Sequence, residues 1–251
     1  MIVFDLDDTL YKEADFVASG CRAIAAAAHE ACPALSAADA LEIIRSGDST
    51  SAGFDALLAE IQRLSPGNPF GISELLRVYR FHKPDISLSP EVRDTLNLLQ
   101  RAGIRMGLIT DGRAATQRAK IQTLGLEQYF APSNIIISAE IGADKTTPTP
   151  FEEMMKRNTE HAAPDGLSDG KRHNLSANED GQLVSGDHGF VYVGDNPAKD
   201  FLWPNRLGWQ TFMLRDTTGR NIYPQTIPEL SPDYAPQHEI RDLHDLIRLS
   251  D

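Results

Sequence analysis

The chain has 251 residues, of which 41% are hydrophobic and 24% are charged, and it contains 24 Lys and Arg against 36 Asp and Glu. This length is enough for one sizeable core with an insertion or for two modest domains, and no apolar run approaches the roughly 20 residues of a membrane-spanning helix. A formal net charge of −12 argues against nucleic acids and anionic membranes as partners, because proteins that bind them present a basic face.

Two features indicate the compartment in which the protein works. Cys21 and Cys32 fall within one predicted helix, where about 16 Å separates them, so they cannot form a disulfide inside it. The N-terminal residues become acidic at once and lack the basic start of a secretory signal. We therefore expect a reducing, cytoplasmic compartment.

The first third of the chain predicts one strand followed by helices. An apolar run at 2–6 is typical of a buried strand. Helical spacing of apolar residues then recurs in four segments: 14–32, 37–45, 52–64 and 72–81. Because no strand pattern interrupts them, residues 12–83 are expected to form an all-helical domain inserted after the first strand.

After residue 84, predicted strands alternate with predicted helices. The strands are 106–109, 135–138, 190–193 and 210–214, and the helices are 90–102, 113–124, 148–157 and 198–206. This alternation predicts a parallel sheet covered on both faces, and the right-handed crossover rule makes the sheet doubly wound. The fold class is thus α/β, with a Rossmann-like core formed by 1–11 and 84–251.

Two further segments of the core are expected to depart from that alternation. Residues 158–189 are polar and rich in Gly, Asp, Asn and Ser, so they are interpreted as an insertion or a small hairpin. A last helix is predicted over 241–249. Tyr11 and Lys12 lie at the expected hinge, where they either contact the substrate or belong to a solvated linker.

Polar residues follow each of four predicted strands. They are Asp5, Asp7 and Thr9, then Thr110, Asp111 and Gly112, then Lys145, and finally Asp195, Asn196 and Asp200. Ligands of doubly wound sheets bind beyond the carboxyl ends of the strands, so these residues are expected to meet at one edge. Several carboxylates in one cleft repel each other unless a cation holds them. Oxygen ligands of this kind suit Mg²⁺.

The same edge is predicted to bind an anion. Lys145 can neutralise one negative charge, and Thr110 with the amides of Asp111 and Gly112, at the entry to a helix, is typical of an oxyanion site. A carboxylate beside a metal, a lysine and an anion site is what phosphoryl transfer requires, because charge must be neutralised and the reacting groups aligned.

Four sequence runs, in order, resemble the motifs of the haloacid dehalogenase-like (HAD) hydrolases. They are DLDDT at 5–9, LITDG at 108–112, Lys145, and VGDNPAKD at 193–200. The resemblance covers residues 1–11 and 85–251, and the helical block resembles the family's cap. It implies a Rossmann-like core, Mg²⁺ and an aspartyl-phosphate intermediate.

The resemblance also implies a role for individual residues. Asp5 would be the nucleophile, and Asp7 would protonate the leaving oxygen and later deprotonate the hydrolytic water. The Asp5 carboxylate, the Asp7 backbone carbonyl and Asp195 would bind Mg²⁺. Thr110 would bind phosphoryl oxygens with Lys145. Because the dehalogenase branch lacks the acid at the Asp7 position, its presence indicates a phosphatase or phosphotransferase.

Two motif positions leave alternatives open. The family commonly has Lys-Pro-Asp-Pro before a Phe, whereas this chain has KTTPTPF at 145–151; the rival lysine is Lys120, whose surroundings are typical of a helix face. Asn196 and Asp200 are expected to orient the residues that bind the metal and the phosphate directly. For Asp200, an ordinary carboxylate on a helix surface is the alternative.

We therefore expect a Mg²⁺-dependent phosphatase for a small phosphorylated metabolite, either a sugar phosphate or a nucleotide. One alternative is a phosphotransferase such as a mutase, which would exchange phosphate between sugars without net release. The other is a non-catalytic module that binds a ligand or a partner. The complete set of motif residues argues against the second alternative. The sequence predicts no oligomeric state.

Overall fold

The computed structural model describes residues 1–159, 175–177, 183–185, 189–226 and 231–248. The chain divides into two compact units. The core unit comprises Met1–Glu13 and Ser87–Asp251, and the helical unit comprises Ala14–Ile86. No helix among the described residues combines the length and the apolar character needed to cross a membrane.

The core unit is built on a parallel sheet. In chain order, the strands of the described residues are β1 (Ile2–Phe4), β2 (Met106–Thr110), β3 (Ile135–Ile137), β4 (Leu175–Ala177), β5 (Leu183–Ser185), β6 (Val191–Gly194), β7 (Gln210–Leu214) and β8 (His238–Ile240). Six of them form one sheet in the order β3-β2-β1-β6-β7-β8, and every neighbouring pair is parallel. The predicted α/β class with a parallel sheet is confirmed.

Helices connect these strands, as the crossover of parallel strands requires. The helices are α1 (Glu13–Ala31), α2 (Ala37–Ser46), α3 (Thr50–Leu64), α4 (Ile72–Phe81), α5 (Pro90–Arg101), α6 (Ala114–Thr123), α7 (Ser138–Ile141), α8 (Thr149–Thr159), α9 (Leu202–Arg206) and α10 (Asp245–Arg248). On one face of the sheet, Val3 and Tyr192 pack with Phe151 of α8. On the other face, Phe4 packs against Phe130, because successive strand residues point to opposite sides.

The strand order positions the site. From β1 the chain builds β2 and β3 on one side, and then returns to place β6, β7 and β8 on the other. Connections therefore diverge at the carboxyl ends of β1 and β6, which form the topological switch point where ligands of such sheets bind. Asp5 follows β1 directly, and Asp195 follows β6.

The end of the chain differs from the prediction. The sequence analysis does not identify β8, and it predicts a helix over 241–249, whereas α10 covers only Asp245–Arg248 and residue 249 lies outside the described residues. β8 has only three residues, HEI, and its first two are polar, so it lacks an apolar run that marks a strand. It forms because β7 offers an open edge for pairing.

The polar segment 158–189 lies mostly outside the described residues. Its described strands, β4 and β5, pair in antiparallel fashion as a two-stranded sheet. This arrangement matches the hairpin that was one of the two interpretations of the segment.

The helical unit has a core of its own. Ile24, Leu57 and Leu75, from α1, α3 and α4, are fully buried in one cluster. α2 and α3 approach closely at Gly53, where a β-carbon would lie 2.1 Å from the carbonyl oxygen of Ile44. The close crossing of α2 and α3 explains why a glycine is tolerated within α3 despite its conformational cost.

Both cysteines of the chain are buried and unpaired.

Candidate active site

A polar cavity opens in the core unit at the switch point of the sheet. It is lined by Asp5, Asp7, Asp8, Glu13, Asp111, Lys145, Asp195, Asn196, Lys199 and Tyr223. Six of these residues are carboxylates and two are lysines. The carboxyl-end residues that the sequence analysis placed at one edge therefore line one cavity, with four exceptions: the buried Thr9, and Thr110, Gly112 and Asp200, which are described below.

Lys145, which lines this cavity, forms ion pairs with two carboxylates. Its Nζ lies 2.7 Å from Asp5 Oδ1 and 2.6 Å from Asp200 Oδ1, and its side chain is almost completely buried. Although burial alone would lower the pKa of Lys145, the charges of Asp200 and Asp5 raise it well above its ordinary value. The lysine therefore stays charged, and it holds Asp5 in a fixed position.

Asp200 is a buried structural partner of this lysine. It has no exposed surface, so the alternative of a helix-surface carboxylate is wrong. Its Oδ2 accepts the backbone N–H groups of Asp195 and Asn196 at 3.1 and 2.8 Å. A β-carbon at Gly194 would lie 2.6 Å from the same oxygen, which explains the glycine that precedes Asp195. Asp200 thus shapes the turn that carries Asp195 and delays the start of α9, which was predicted at residue 198 and begins at Leu202.

Asp195 is held by the loop between β7 and β8. Asn221 Nδ2 donates to Asp195 Oδ2 at 2.8 Å, and Gln225 Nε2 donates to the Asp195 carbonyl at 3.0 Å. Burial, followed by the negative charges of Asp200 and Asp5, raises the pKa of Asp195 to about 9. Burial likewise raises the pKa of Asp5 to about 7, against the opposing effect of Lys145.

These carboxylates fit a cation. Oxygens of Asp5, Asp195 and Asp200 lie within 4.8 Å of one another. Burial, together with the neighbouring negative charges, raises the pKa values of Asp5 and Asp195, so a cation bound between these two carboxylates would stabilise their charged forms. Asp200 already accepts from Lys145 and two amides. Asp5 and Asp195 are therefore the side chains best placed to bind a divalent metal among the described residues.

Asp7 lies in a dense hydrogen-bond network. Tyr11 Oη and Lys120 Nζ both contact Asp7 Oδ1, the latter at 2.7 Å, and Gln117 Nε2 donates to Asp7 Oδ2 at 2.9 Å. Lys120 is only 3% exposed, so the interpretation of its surroundings as an open helix face is wrong. The structure gives the two lysines separate partners, since Lys145 contacts Asp5 and Lys120 contacts Asp7.

The residues of the second motif are distributed differently from the prediction. Asp111 lines the cavity, and its Oδ1 accepts the Lys145 backbone N–H at 3.2 Å. The Gly112 N–H donates to Ser138 Oγ at 2.9 Å, so this amide is already used and does not support the predicted phosphate contact. Thr110 is only 1% exposed and accepts from Gln117 Nε2 at 2.6 Å.

Sequence reasoning missed several residues around the site. Gln117 is one of them, whereas Lys120 was considered only as the rival lysine on a helix face. The two residues are three positions apart on α6 and both are buried, so two polar residues on one buried helix face were the available signal. Asn221 and Gln225 belong to an irregular loop, which offers no periodicity. Lys199 was overlooked because it stands between two motif positions.

The parallel sheet, with an acidic cavity at its switch point, has the architecture of a ligand-binding α/β protein. A family model described as haloacid dehalogenase-like hydrolase matches residues 2–164, and the chain belongs to this family. A glyceraldehyde 3-phosphate phosphatase of Methanocaldococcus jannaschii is 30% identical over 85% of this chain and 83% of its own length.

Two further comparisons cover nearly the whole chain. A ribulose-1,5-bisphosphate 5-phosphatase of Halopiger xanaduensis is 25% identical over 99% of this chain and 98% of its own. The crystal structure of a 2-haloacid dehalogenase from Pseudomonas syringae matches the fold with a TM-score of 0.56 and 23% identity, over 99% of this chain and 96% of that one. Together, family and relatives identify this chain as a phosphoric monoester hydrolase.

Proposed function

We propose that this protein is a Mg²⁺-dependent phosphatase that hydrolyses a small sugar phosphate through an aspartyl-phosphate on Asp5. The observation that carries this proposal is the position of Asp5. Its carboxylate lies in the cavity, 2.7 Å from the buried Lys145 ammonium, and Asp7 and Asp195 line the same cavity. A nucleophile, an acid and a cation site therefore occur together, as phosphoryl transfer requires.

The proposed metal site uses the Asp5 and Asp195 carboxylates and, by the family resemblance, the Asp7 backbone carbonyl. Carboxylate and carbonyl oxygens are the protein ligands that Mg²⁺ prefers. When bound, Mg²⁺ would supply positive charge to the oxygens of the transferred phosphoryl group. Asn221 fixes one oxygen of Asp195, and Asp200 fixes the turn behind it.

Asp5 would attack phosphorus, and the ester P–O bond would break as the new bond forms. Lys145 orients the attacking carboxylate and offsets the negative charge that collects at the site. The Asp111 carboxylate accepts the backbone N–H of Lys145 and so fixes the backbone at that position. Lys199, whose Nζ lies 3.5 Å from Asp111 Oδ2, adds a second positive charge to the cavity.

Asp7 would protonate the leaving oxygen and then accept a proton from the water that hydrolyses the aspartyl-phosphate. The role of Thr110 as a phosphoryl ligand stays a prediction from the resemblance, since this residue is almost fully buried. The helical unit would act as the substrate-selecting cap that the resemblance implies.

The substrate class is supported by the relatives and by the cavity. Two relatives act, by their names, on glyceraldehyde 3-phosphate and ribulose 1,5-bisphosphate. Tyr223 is 54% exposed and Lys199 Nζ lies 5.9 Å from its ring centre. An exposed aromatic face beside a lysine and a carboxylate such as Glu13 suits the C–H surface and hydroxyl groups of a sugar. A net charge of −12 supports a small substrate rather than a nucleic acid, and a cytoplasmic location stays a prediction.

The decisive experiment measures phosphate release from a panel of sugar phosphates and nucleotides. The wild type should release inorganic phosphate only with Mg²⁺, and Asp5→Asn should abolish release while retaining the fold. Asp94→Asn, which changes an exposed aspartate on α5, is the matched control and should retain activity. Transfer of phosphate between sugars without net release would instead identify a mutase. Binding without turnover would identify a ligand-binding module.

A further inference from the structure

We infer that Gln117 is a positioning residue that aims the Asp7 carboxylate at the leaving group; this inference rests on the proposed function. Gln117 is 2% exposed and sits on α6. Its Nε2 donates both to Asp7 Oδ2, at 2.9 Å, and to Thr110 Oγ1, at 2.6 Å. One buried amide group thus joins the proposed acid to the end of β2.

The two carboxylate oxygens of Asp7 have different hydrogen-bond partners. Oδ1 contacts the Lys120 ammonium and the Tyr11 hydroxyl, so its negative charge is stabilised. Oδ2 is the oxygen that Gln117 contacts. The Gln117 contact therefore fixes the direction of Oδ2 separately from the contacts that hold Oδ1.

Gln117 can hold this oxygen because its own position is fixed from two sides. Thr110 Oγ1 anchors the amide to the last residue of a buried strand. On the other side, a β-carbon at Gly112 would lie 3.0 Å from Gln117 Cδ, so the loop backbone packs tightly over the side chain. The amide thus orients the Asp7 carboxyl group through a hydrogen bond from a neutral donor.

The step that depends on this alignment is the transfer to Asp5. The bond between phosphorus and the ester oxygen breaks, an Asp5 oxygen bonds to phosphorus, and a proton moves from the Asp7 carboxyl group to the ester oxygen, which leaves as an alcohol. Misplacing a catalytic group by about 1 Å can cost about 100-fold in rate. Loss of the Gln117 contact should therefore slow transfer most when the leaving group needs a proton.

The test compares phenyl phosphate with p-nitrophenyl phosphate, whose leaving group departs without protonation. Gln117→Met keeps the side chain's size and removes the donor. Its kcat/KM, which reports transfer to Asp5, should fall by about 10- to 100-fold for phenyl phosphate and several times less for p-nitrophenyl phosphate. The matched control, Gln122→Met, changes an exposed residue on the same helix and should leave both values unchanged.

An Asp7→Asn background identifies the residue through which Gln117 acts. There, adding Gln117→Met should cause little further loss, because residues that act together are not additive. An equal loss for both phosphates, or an additive loss in the Asp7→Asn background, would overturn the inference. If Gln117→Met does not fold, Gln117→Leu is measured in its place, since it is also apolar and lacks the donor. If the wild type hydrolyses neither phosphate, the proposed function itself fails.

Discussion

Replacing Lys145 by Met should lower both the stability of the protein and its activity, and the two losses can be measured separately. The substitution removes the ammonium that lies 2.7 Å from Asp5 and 2.6 Å from Asp200, and it leaves two buried carboxylates facing each other. Breaking a buried ion pair by removing one partner costs about 3–5 kcal/mol. For a chain of this size, that loss lowers Tm by about 6–20 °C.

Activity should fall independently of this loss of stability. Phosphate release by Lys145→Met, measured well below its Tm, should drop by about 100- to 1,000-fold, because one preorganised positive group is lost. Adding Asp200→Asn removes one of the two unpaired charges, so the double variant should recover part of the lost stability while its turnover stays low. Lys156→Met, at an exposed position of α8, is the matched control. Turnover near the wild-type value in Lys145→Met would refute the role given to this lysine.

Four further predictions concern metal binding, the pH dependence of stability, the turn at Gly194 and the exposed Tyr223 of the cavity. Mg²⁺ at 100 times its Kd should stabilise the protein by about 2.7 kcal/mol in thermal unfolding, and EDTA should abolish turnover; metal-independent turnover would contradict the site. Burial raises the pKa of Asp195 from 3.8 to about 9, so the metal-free fold should lose stability as pH rises between these values. Asp195→Asn should remove the Mg²⁺ effect and reduce this loss, of which the raised pKa of Asp5 retains a part. Gly194→Ala should cost about 1–3 kcal/mol, measured by urea unfolding, because its β-carbon would meet Asp200; a smaller cost would mean that the turn adapts. Tyr223→Leu should raise KM for sugar phosphates more than for acetyl phosphate, and equal changes would exclude a sugar contact.

Sequence periodicity predicts most of the fold because the interior strands are apolar on both faces. β1, β2 and β6 are buried along their whole length, so most of their residues are apolar and each forms a short apolar run. β8 was missed because an edge strand of three residues, with polar His238 and Glu239, depends on its partner strand rather than on its own pattern.

The site residues also differ in whether a local sequence pattern or a tertiary contact determines their role. Asp5 and Asp195 could be identified because each directly follows an apolar strand, and the sheet brings the strand ends together. Gln117 could not be assigned to Asp7, which lies 110 positions away in sequence, since this contact depends on how α6 packs. The use of the Gly112 amide by Ser138 also depends on tertiary structure that no local pattern specifies.

The distribution of the site along the chain has a consequence for biosynthesis. The proposed nucleophile, Asp5, precedes its buried lysine by 140 positions, and the Asn221 amide that fixes Asp195 comes still later in the chain. A ribosome-bound chain therefore has no complete centre until the connection between β7 and β8 has emerged. A truncation after residue 215 would retain every motif aspartate and still lose the support of Asp195.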